Sequence, residues 1–414
     1  MNIQIAQGCS QCGAPILVTE NDRLIECPYC GVKNFLSSRG SFRYLLPPVL
    51  SPPPAGSYLM VPYIRFKGTI FMVSRRGITH KVVDTTQVAS ALPGLSPSLG
   101  VRPQAMKLQR LTAQYRAQYC PQSLPAQVIL EKAVQISELT ASPASFYHRA
   151  YIGENLSIIY LPLVSAGGLL YDAVTREPLP AREPWAASLK GRTVPFQHAW
   201  EVQSLASLCP HCGAILQGAS DTLVLHCGIC GRAWTYGEEE HLRQVTWQVQ
   251  SGLSSTLSLP FWVIQARIPA LSIRTLSDFI VRTNQPLLPR EGWQSMPMRF
   301  VIPGFKIRPK FFLQAGKQGT LNQWRLAEKS GVFDADLFYP VTLSDTEALQ
   351  SVKVILAACA SSPQHMHPHL PKVRLEAPHL RLVYLPFQDR GHEWYQQEMG
   401  ITIAKNILRF GRSM

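Results

Sequence analysis

Apolar positions along most of this chain fall in short runs or alternate with polar ones, and only rarely repeat every three or four residues. That pattern predicts strands over 58–66, 68–74, 79–83, 156–162, 168–173, 244–250, 261–268, 298–301, 305–313 and 380–385. Helical spacing is confined to a few segments. One lies near 125–139, where Val128, Ile129, Val134, Ile136 and Leu139 share a face. A second lies near 344–359, where Leu349, Val352, Ile355, Leu356 and Cys359 do the same behind Ser344-Asp345-Thr346-Glu347, which has the form of a capping box. A third is expected from Glu393 onward. The longest apolar run, 156–171, is broken by Pro162 and Gly167-Gly168 and falls short of the roughly 20 residues that a spanning helix needs. The fold class expected is α+β and β-rich, built from small antiparallel sheets or barrels.

The order of these segments repeats. Cys9 and Cys209 each open a cysteine cluster, and 200 residues separate them. Leu59-Met60-Val61-Pro62-Tyr63 is answered by Leu257-Ser258-Leu259-Pro260-Phe261-Trp262. Pro93-Gly94 and Val101-Arg102-Pro103-Gln104 are answered by Pro303-Gly304 and Ile307-Arg308-Pro309-Lys310. A helix follows each time, and then Ile158-Ile159-Tyr160-Leu161-Pro162-Leu163 matches Leu382-Val383-Tyr384-Leu385-Pro386-Phe387. Shared order across five features points to an internal tandem duplication and a pseudo-dimer. With proline-rich connectors at 47–54 and 175–195, the expected segments are 1–42, 43–120 and 121–195, then 196–242, 243–335 and 336–414. Each set runs cysteine module, β-rich domain, α+β domain.

Eight of the ten cysteines carry the clearest chemistry. Cys9, Cys12, Cys27 and Cys30 read C-x2-C-x14-C-x2-C, and Cys209, Cys212, Cys227 and Cys230 read the same. Glycine follows each pair, at Gly13, Gly31, Gly213 and Gly231. Two thiolates on one tight turn must aim at one ion, and glycine permits the left-handed backbone that such a turn requires. Two turns of this kind on facing hairpins make a closed S4 site, the geometry of structural Zn²⁺, although thiolate softness alone also admits iron. Both clusters resemble zinc ribbons, over about 30 residues each. The resemblance implies small β modules that hold two structural Zn²⁺ ions without catalysis and often dock protein or nucleic acid. Four thiolates leave no open coordination position for water. Cys120 and Cys359 have no spacing partner and read as ordinary small residues.

Composition adds charge. The chain has 414 residues and a formal net charge of +14, from 40 Lys and Arg against 26 Asp and Glu. An arginine-rich surface suits phosphate, carboxylate or an acidic partner without choosing among them. His365, His367 and His369 form H-x-H-x-H, a candidate second type of metal site if the segment is a strand, or a proline-rich loop if it is not. All eight Trp lie at or after position 185, so a binding face is expected in the second half. The chain contains no phosphate-binding glycine loop, nucleophile elbow or H-E-x-x-H, although catalytic groups dispersed in sequence would leave no such signature. The first eight residues carry no basic n-region or long apolar stretch, so a reducing cytoplasmic setting is expected, with thiols rather than disulfides. The resulting functional expectation is a non-enzymatic zinc-binding scaffold or adaptor that docks a protein partner. The alternative is a nucleic-acid-binding zinc-ribbon protein.

Overall fold

A computed structural model describes residues 3–54, 56–92, 94–123, 146–180, 192–237, 241–250, 257–326 and 336–412. The helix expected at 125–139 lies outside the described residues. The first half contributes β1 (Gln4–Gly8), β2 (Pro15–Thr19), β3 (Leu24–Glu26), β4 (Lys33–Ser37), β5 (Phe42–Leu45), β6 (Tyr58–Ser74), β7 (Gly77–Val88), β8 (Leu108–Arg110), β9 (Ala117–Tyr119), β10 (His148–Ala166) and β11 (Leu169–Asp172). The second contributes β12 (Gln203–Ala206), β13 (Val224–His226), β14 (Ala233–Tyr236), β15 (Leu242–Val245), β16 (Trp247–Val249), β17 (Leu257–Arg267), β18 (Arg299–Pro303), β19 (Glu376–Asp389), β20 (Glu393–Gln396) and β21 (Ile401–Ala404). Helices α1 (Arg102–Ala105), α2 (Leu276–Arg282), α3 (Pro309–Leu321), α4 (Asp345–Cys359), α5 (Pro363–Met366) and α6 (Lys405–Gly411) complete the elements used below. The result is β-rich with several sheets, and no described helix is long and apolar enough to cross a membrane.

A nine-stranded sheet runs β2-β1-β8-β5-β10-β6-β7, with β11 on β10 and β9 on β6. A six-stranded sheet runs β18-β17-β19-β20-β21, with β16 on β19. Their centres share one register. In the first sheet Tyr160 of β10 sits opposite Pro62 on its antiparallel neighbour and Leu45 on its parallel one. In the second, Tyr384 of β19 sits opposite Pro260 and Val249 in the same senses. Leu46 N donates to Tyr160 O (3.1 Å) and Gln250 N to Tyr384 O (2.9 Å). Proline has no N–H for the ladder, but Pro62 and Pro260 still accept through their carbonyls, from Ala89 N (2.9 Å) and Gly304 N (2.8 Å). This register sets Ala89, rather than Pro93-Gly94, against Gly304.

Several sequence expectations give way to tertiary context. The runs 58–66 and 68–74 join into one 17-residue strand, buried almost throughout. Arg65 and Lys67 interrupt the apolar pattern there, yet they are 0% and 5% exposed because acids meet them inside. Arg65 is ion-paired with Glu20 and with Asp84 (Nε–Oδ1 2.9 Å), and Lys67 Nζ lies 3.1 Å from Glu20 Oε1. The strand expected at 305–313 is instead a loop leading into α3. Pro309 starts that helix, where its fixed φ and missing N–H cost nothing. Gly316 and Gly319 press α3 against its neighbours, since a Cβ there would come within 2.5 Å of Ile355 Cδ1 and 2.7 Å of Val301 Cγ1. The helix expected from Glu393 is instead the β20–β21 hairpin, with helix only from Lys405. Aromatic, alternating residues such as Trp394 favour the strand, and Gly391 at φ +76° turns the chain into it.

The capping box before α4 forms as expected: Glu347 N donates to Ser344 Oγ (3.2 Å), and Ser344 N to Glu347 Oε2 (3.0 Å). Behind it, Val352, Ile355, Leu356 and Cys359 enter the main core, which also takes in Phe71, Val73, Ala150 and Ile152 from the first sheet. The main core therefore takes residues from both halves, while the first half keeps further apolar clusters of its own.

Candidate metal centres

Each cysteine cluster is assembled by its own backbone. Gly13 N donates to Cys9 O (2.9 Å), Gly31 N to Cys27 O (2.9 Å), Gly213 N to Cys209 O (2.9 Å) and Gly231 N to Cys227 O (2.9 Å). The four glycines have φ of +72°, +69°, +73° and +67°, the left-handed conformation that the spacing predicts. These turns bring Cys9, Cys12, Cys27 and Cys30 together, and likewise Cys209, Cys212, Cys227 and Cys230, with all four sulfurs of a set within 4.8 Å of one another. Closest approaches are 3.8 Å (Cys9–Cys30), 3.7 Å (Cys12–Cys27), 3.6 Å (Cys209–Cys230) and 3.4 Å (Cys212–Cys227). A tetrahedral S4 site with bonds of ~2.3 Å has edges of about 3.8 Å, whereas a disulfide is ~2.05 Å. The two groups fit an ion, and their cysteines are free thiols.

Protonation follows the same geometry. Backbone N–H groups of Cys12 and Gln11 draw the Cys9 thiol down to about 6. At Cys30 the Val32 N–H acts in the same sense, but desolvation and the three neighbouring thiols outweigh it and push Cys30 up to about 12. In the second group Cys227 falls to about 7 and Cys212 rises to about 12. Four thiols this close cannot all ionise alone, so an incoming dication must displace protons and supply the positive charge that stabilises four thiolates.

The two modules differ in what holds them. In the first, β1 and β2 belong to the nine-stranded sheet through β8, and Glu20 is bound to Arg65 and Lys67. Its second hairpin, β3–β4, takes β12 as a third strand. In the second module, β13–β14–β15 form a separate three-stranded sheet, and the leading hairpin makes only the isolated bridges Leu208↔Ile215 and Gln217↔His226. Support there is apolar and aromatic. Leu216, Leu225 and Trp234 are buried with Leu24 and Phe35 of the first module, and Phe35 stacks on Tyr236 at 4.0 Å. Trp247 Nε1 donates to Gly231 O (2.9 Å), and the ring of buried His226 meets Trp247 and Tyr384. The modules also touch by main chain, with Arg23 N and Leu24 N donating to Ser220 O (2.6 and 2.9 Å). Outward, the knuckle residues Tyr29 and Ile229 are 68% and 80% exposed.

His365, His367 and His369 lie in short helical turns rather than on a strand, so alternation does not bring them to one face. His365 Nδ1 pairs with Ser362 Oγ (2.7 Å). Both nitrogens of buried His367 face backbone carbonyls, Ser74 O at 2.8 Å and Ala357 O at 3.2 Å. The three imidazoles are not gathered as a metal group among the described residues. Cys120 and Cys359 are buried, and burial pushes their thiols up to about 11 and about 12, which favours the protonated thiol over the thiolate. Of the described Trp residues none is a largely exposed side chain, and Trp262 donates to Leu343 O inside the core.

No protein-family model, curated protein or solved structure matches this chain. What the sequence left unread is the junction of Asn21, Arg23, Asp221, Lys306 and Arg412 around one cavity. Its only sequence trace is an Asn21/Asp221 pair at the 200-residue offset.

Proposed function

We propose that the chain is a non-enzymatic scaffold or adaptor, held by two structural Zn²⁺ ions, that docks a protein partner. The observation carrying this reading is the pair of closed four-thiolate groups, each with one apolar knuckle residue turned to solvent. Zinc is favoured over iron because such sites need no redox chemistry and tetrahedral S4 geometry suits a d¹⁰ ion. The shared register around Tyr160 and Tyr384 supports a tandem duplication in which the second half later diverged. Tyr29 and Ile229, at equivalent knuckle positions, would be the anchors, since exposed aromatic and aliphatic side chains contribute most when a partner covers them.

The test is elemental analysis followed by cross-linking mass spectrometry in native cells. Two zinc ions per chain are expected, together with cross-links that cluster near the knuckles and vanish in a Tyr29→Ser/Ile229→Ser variant that keeps both ions. Cross-links that survive in that variant would count against the docking site.

The second reading is nucleic-acid binding, favoured by the net charge of +14. A groove of about 570 Å³ beside the first module, bordered by Gln7, Gln109 and Arg110, is the place for it. Against it stand the absence of an exposed Trp platform among the described residues and the engagement of Arg65 and Lys67 inside. Steep loss of affinity for oligonucleotides with salt would favour this reading.

A further inference from the structure

We propose that the cavity where the two cysteine modules, the first sheet and the second half converge binds a single protonated oxyanion, hydrogenphosphate, between Lys306 and Arg23. The cavity measures about 220 Å³, far more than one water needs. Every part of the molecule contributes a wall. Asn21 and Arg23 come from the first module, Asp221 from the second, Lys306 and Glu347 from the second half, and Arg412 from the chain's last helical turn. Main chain and side chains tie these walls together: Asn155 Nδ2 donates to Asn21 Oδ1 (2.5 Å), Asn21 Nδ2 to Arg412 O (3.1 Å) and Leu223 N to Val341 O (2.7 Å).

The charges do not cancel. Three cations and two carboxylates line the cavity; Arg412 grips Asp221 directly through Nε (2.7 Å) and Nη2, whereas Glu347 acts on Lys306 through space. Arg23 spends Nη1 on the carbonyls of Glu20 and Asp22 (2.9 and 3.2 Å), lies over Phe42 at 4.4 Å, and forms no ion pair among the described residues. The Lys306 ammonium makes no hydrogen bond or ion pair to a described residue. Its backbone N is fixed to Thr342 Oγ1 (2.8 Å) and its stem passes over Gly153, so the head is held at the cavity wall. Burial holds Lys306 below its ordinary range, and Glu347 works against that. An ammonium in such a place needs a counter-ion or loses its proton.

A tetrahedral anion supplies that countercharge, with oxygens for Lys306, Arg23 and the Asn amides. Glu347 faces the same cavity with Oε2 already accepting from Ser344 N and Oγ (3.0 and 2.8 Å). A fully deprotonated anion would be repelled there, whereas an anion that still carries a proton can donate to the carboxylate. This is the ground for hydrogenphosphate over sulfate. The volume admits the ion with a few waters but not an organic phosphate of nucleotide size.

The experiment compares thermal unfolding of the metal-loaded chain in inorganic phosphate, sulfate and chloride at matched ionic strength and neutral pH, with mass-spectrometric readout of Lys306 reductive methylation under the same conditions. Phosphate is expected to raise Tm saturably by several degrees and sulfate much less. Phosphate should also cut Lys306 labelling at least about tenfold while leaving exposed lysines unchanged. Lys306→Met, which keeps the stem over Gly153, should lose the phosphate effect, and Arg23→Gln should weaken it. A saturable Tm rise that persists in Lys306→Met would place the ion elsewhere on the basic surface and overturn the proposal. Unchanged Lys306 labelling in the unmodified chain would overturn it without relying on any variant. A larger Tm rise with glycerol phosphate than with inorganic phosphate would overturn the assignment to the free ion.

Discussion

The first and second cysteine modules have one spacing, one turn geometry and two different means of support. The first is woven into a sheet: β1 pairs with β2 over five residues and with β8, and Glu20 anchors it to Arg65 and Lys67. The second rests on apolar burial, with Leu216, Leu225 and Trp234 packed under it and only isolated bridges in its leading hairpin. Identical ligand spacing therefore fixes the metal site but not what the site holds together. Losing the ion should have unequal consequences. A hairpin with ladder partners outside the module keeps them, whereas one held mainly by its own metal does not.

Metal removal gives the largest effect. Cys9→Ser and Cys209→Ser should each lose one of two bound ions, read by elemental analysis, because structural zinc contributes on the order of 10 kcal/mol to local folding. Retention of both ions in either variant would remove that cysteine from the ligand set. Next come substitutions that attack each support. Glu20→Ala removes the buried carboxylate that Arg65 and Lys67 share, and should cost about 3–5 kcal/mol in denaturant unfolding. Leu225→Ala empties the core between the modules and should cost about 2–4 kcal/mol. Proteolysis should open the first module in Glu20→Ala and the second in Leu225→Ala. The reverse pattern would break the contrast drawn above.

Acid gives the smallest effect, away from both modules, where β10 leans on the second half. Burial, with Lys353 adding to it, lowers His148 to about 4. The folded state thus resists a proton that the unfolded chain accepts near 6.5. Stability should be full above pH 6.5, decline between pH 6.5 and 4 by about 1–2 kcal/mol, which is the roughly 3 kcal/mol of the full shift discounted for the solvent that still reaches the ring, and lose this component of its pH dependence in His148→Gln.

Much of this was legible in the sequence, for identifiable reasons. Knuckle cysteines and glycines are local, so their spacing dictates their geometry. Ser344 and Glu347 are likewise three residues apart, and their capping box formed as the pattern predicts. Failures came where distant partners decide. Lys67 looks like a strand break until Glu20, more than 40 residues away, is placed beside it. The 305–313 run has strand-like residues, but Pro309 starts a helix that Gly316 and Gly319 let settle against Val301 and Ile355. The three histidines suggested a metal site on the assumption of a strand, and His367 instead ties α4 to the end of β6. The central cavity draws its wall residues from six separated segments, which no local pattern announces.

Hydrogen-exchange mass spectrometry on Cys9→Ser and Cys209→Ser tests the central contrast most directly. The expected result is that residues 4–19 keep most of their amide protection in Cys9→Ser, because β8 still pairs with β1, while residues 208–219, beyond the β12–β4 ladder, lose theirs in Cys209→Ser. Equal loss in the two segments, or protection lost at 4–19 and kept at 208–219, would contradict the account.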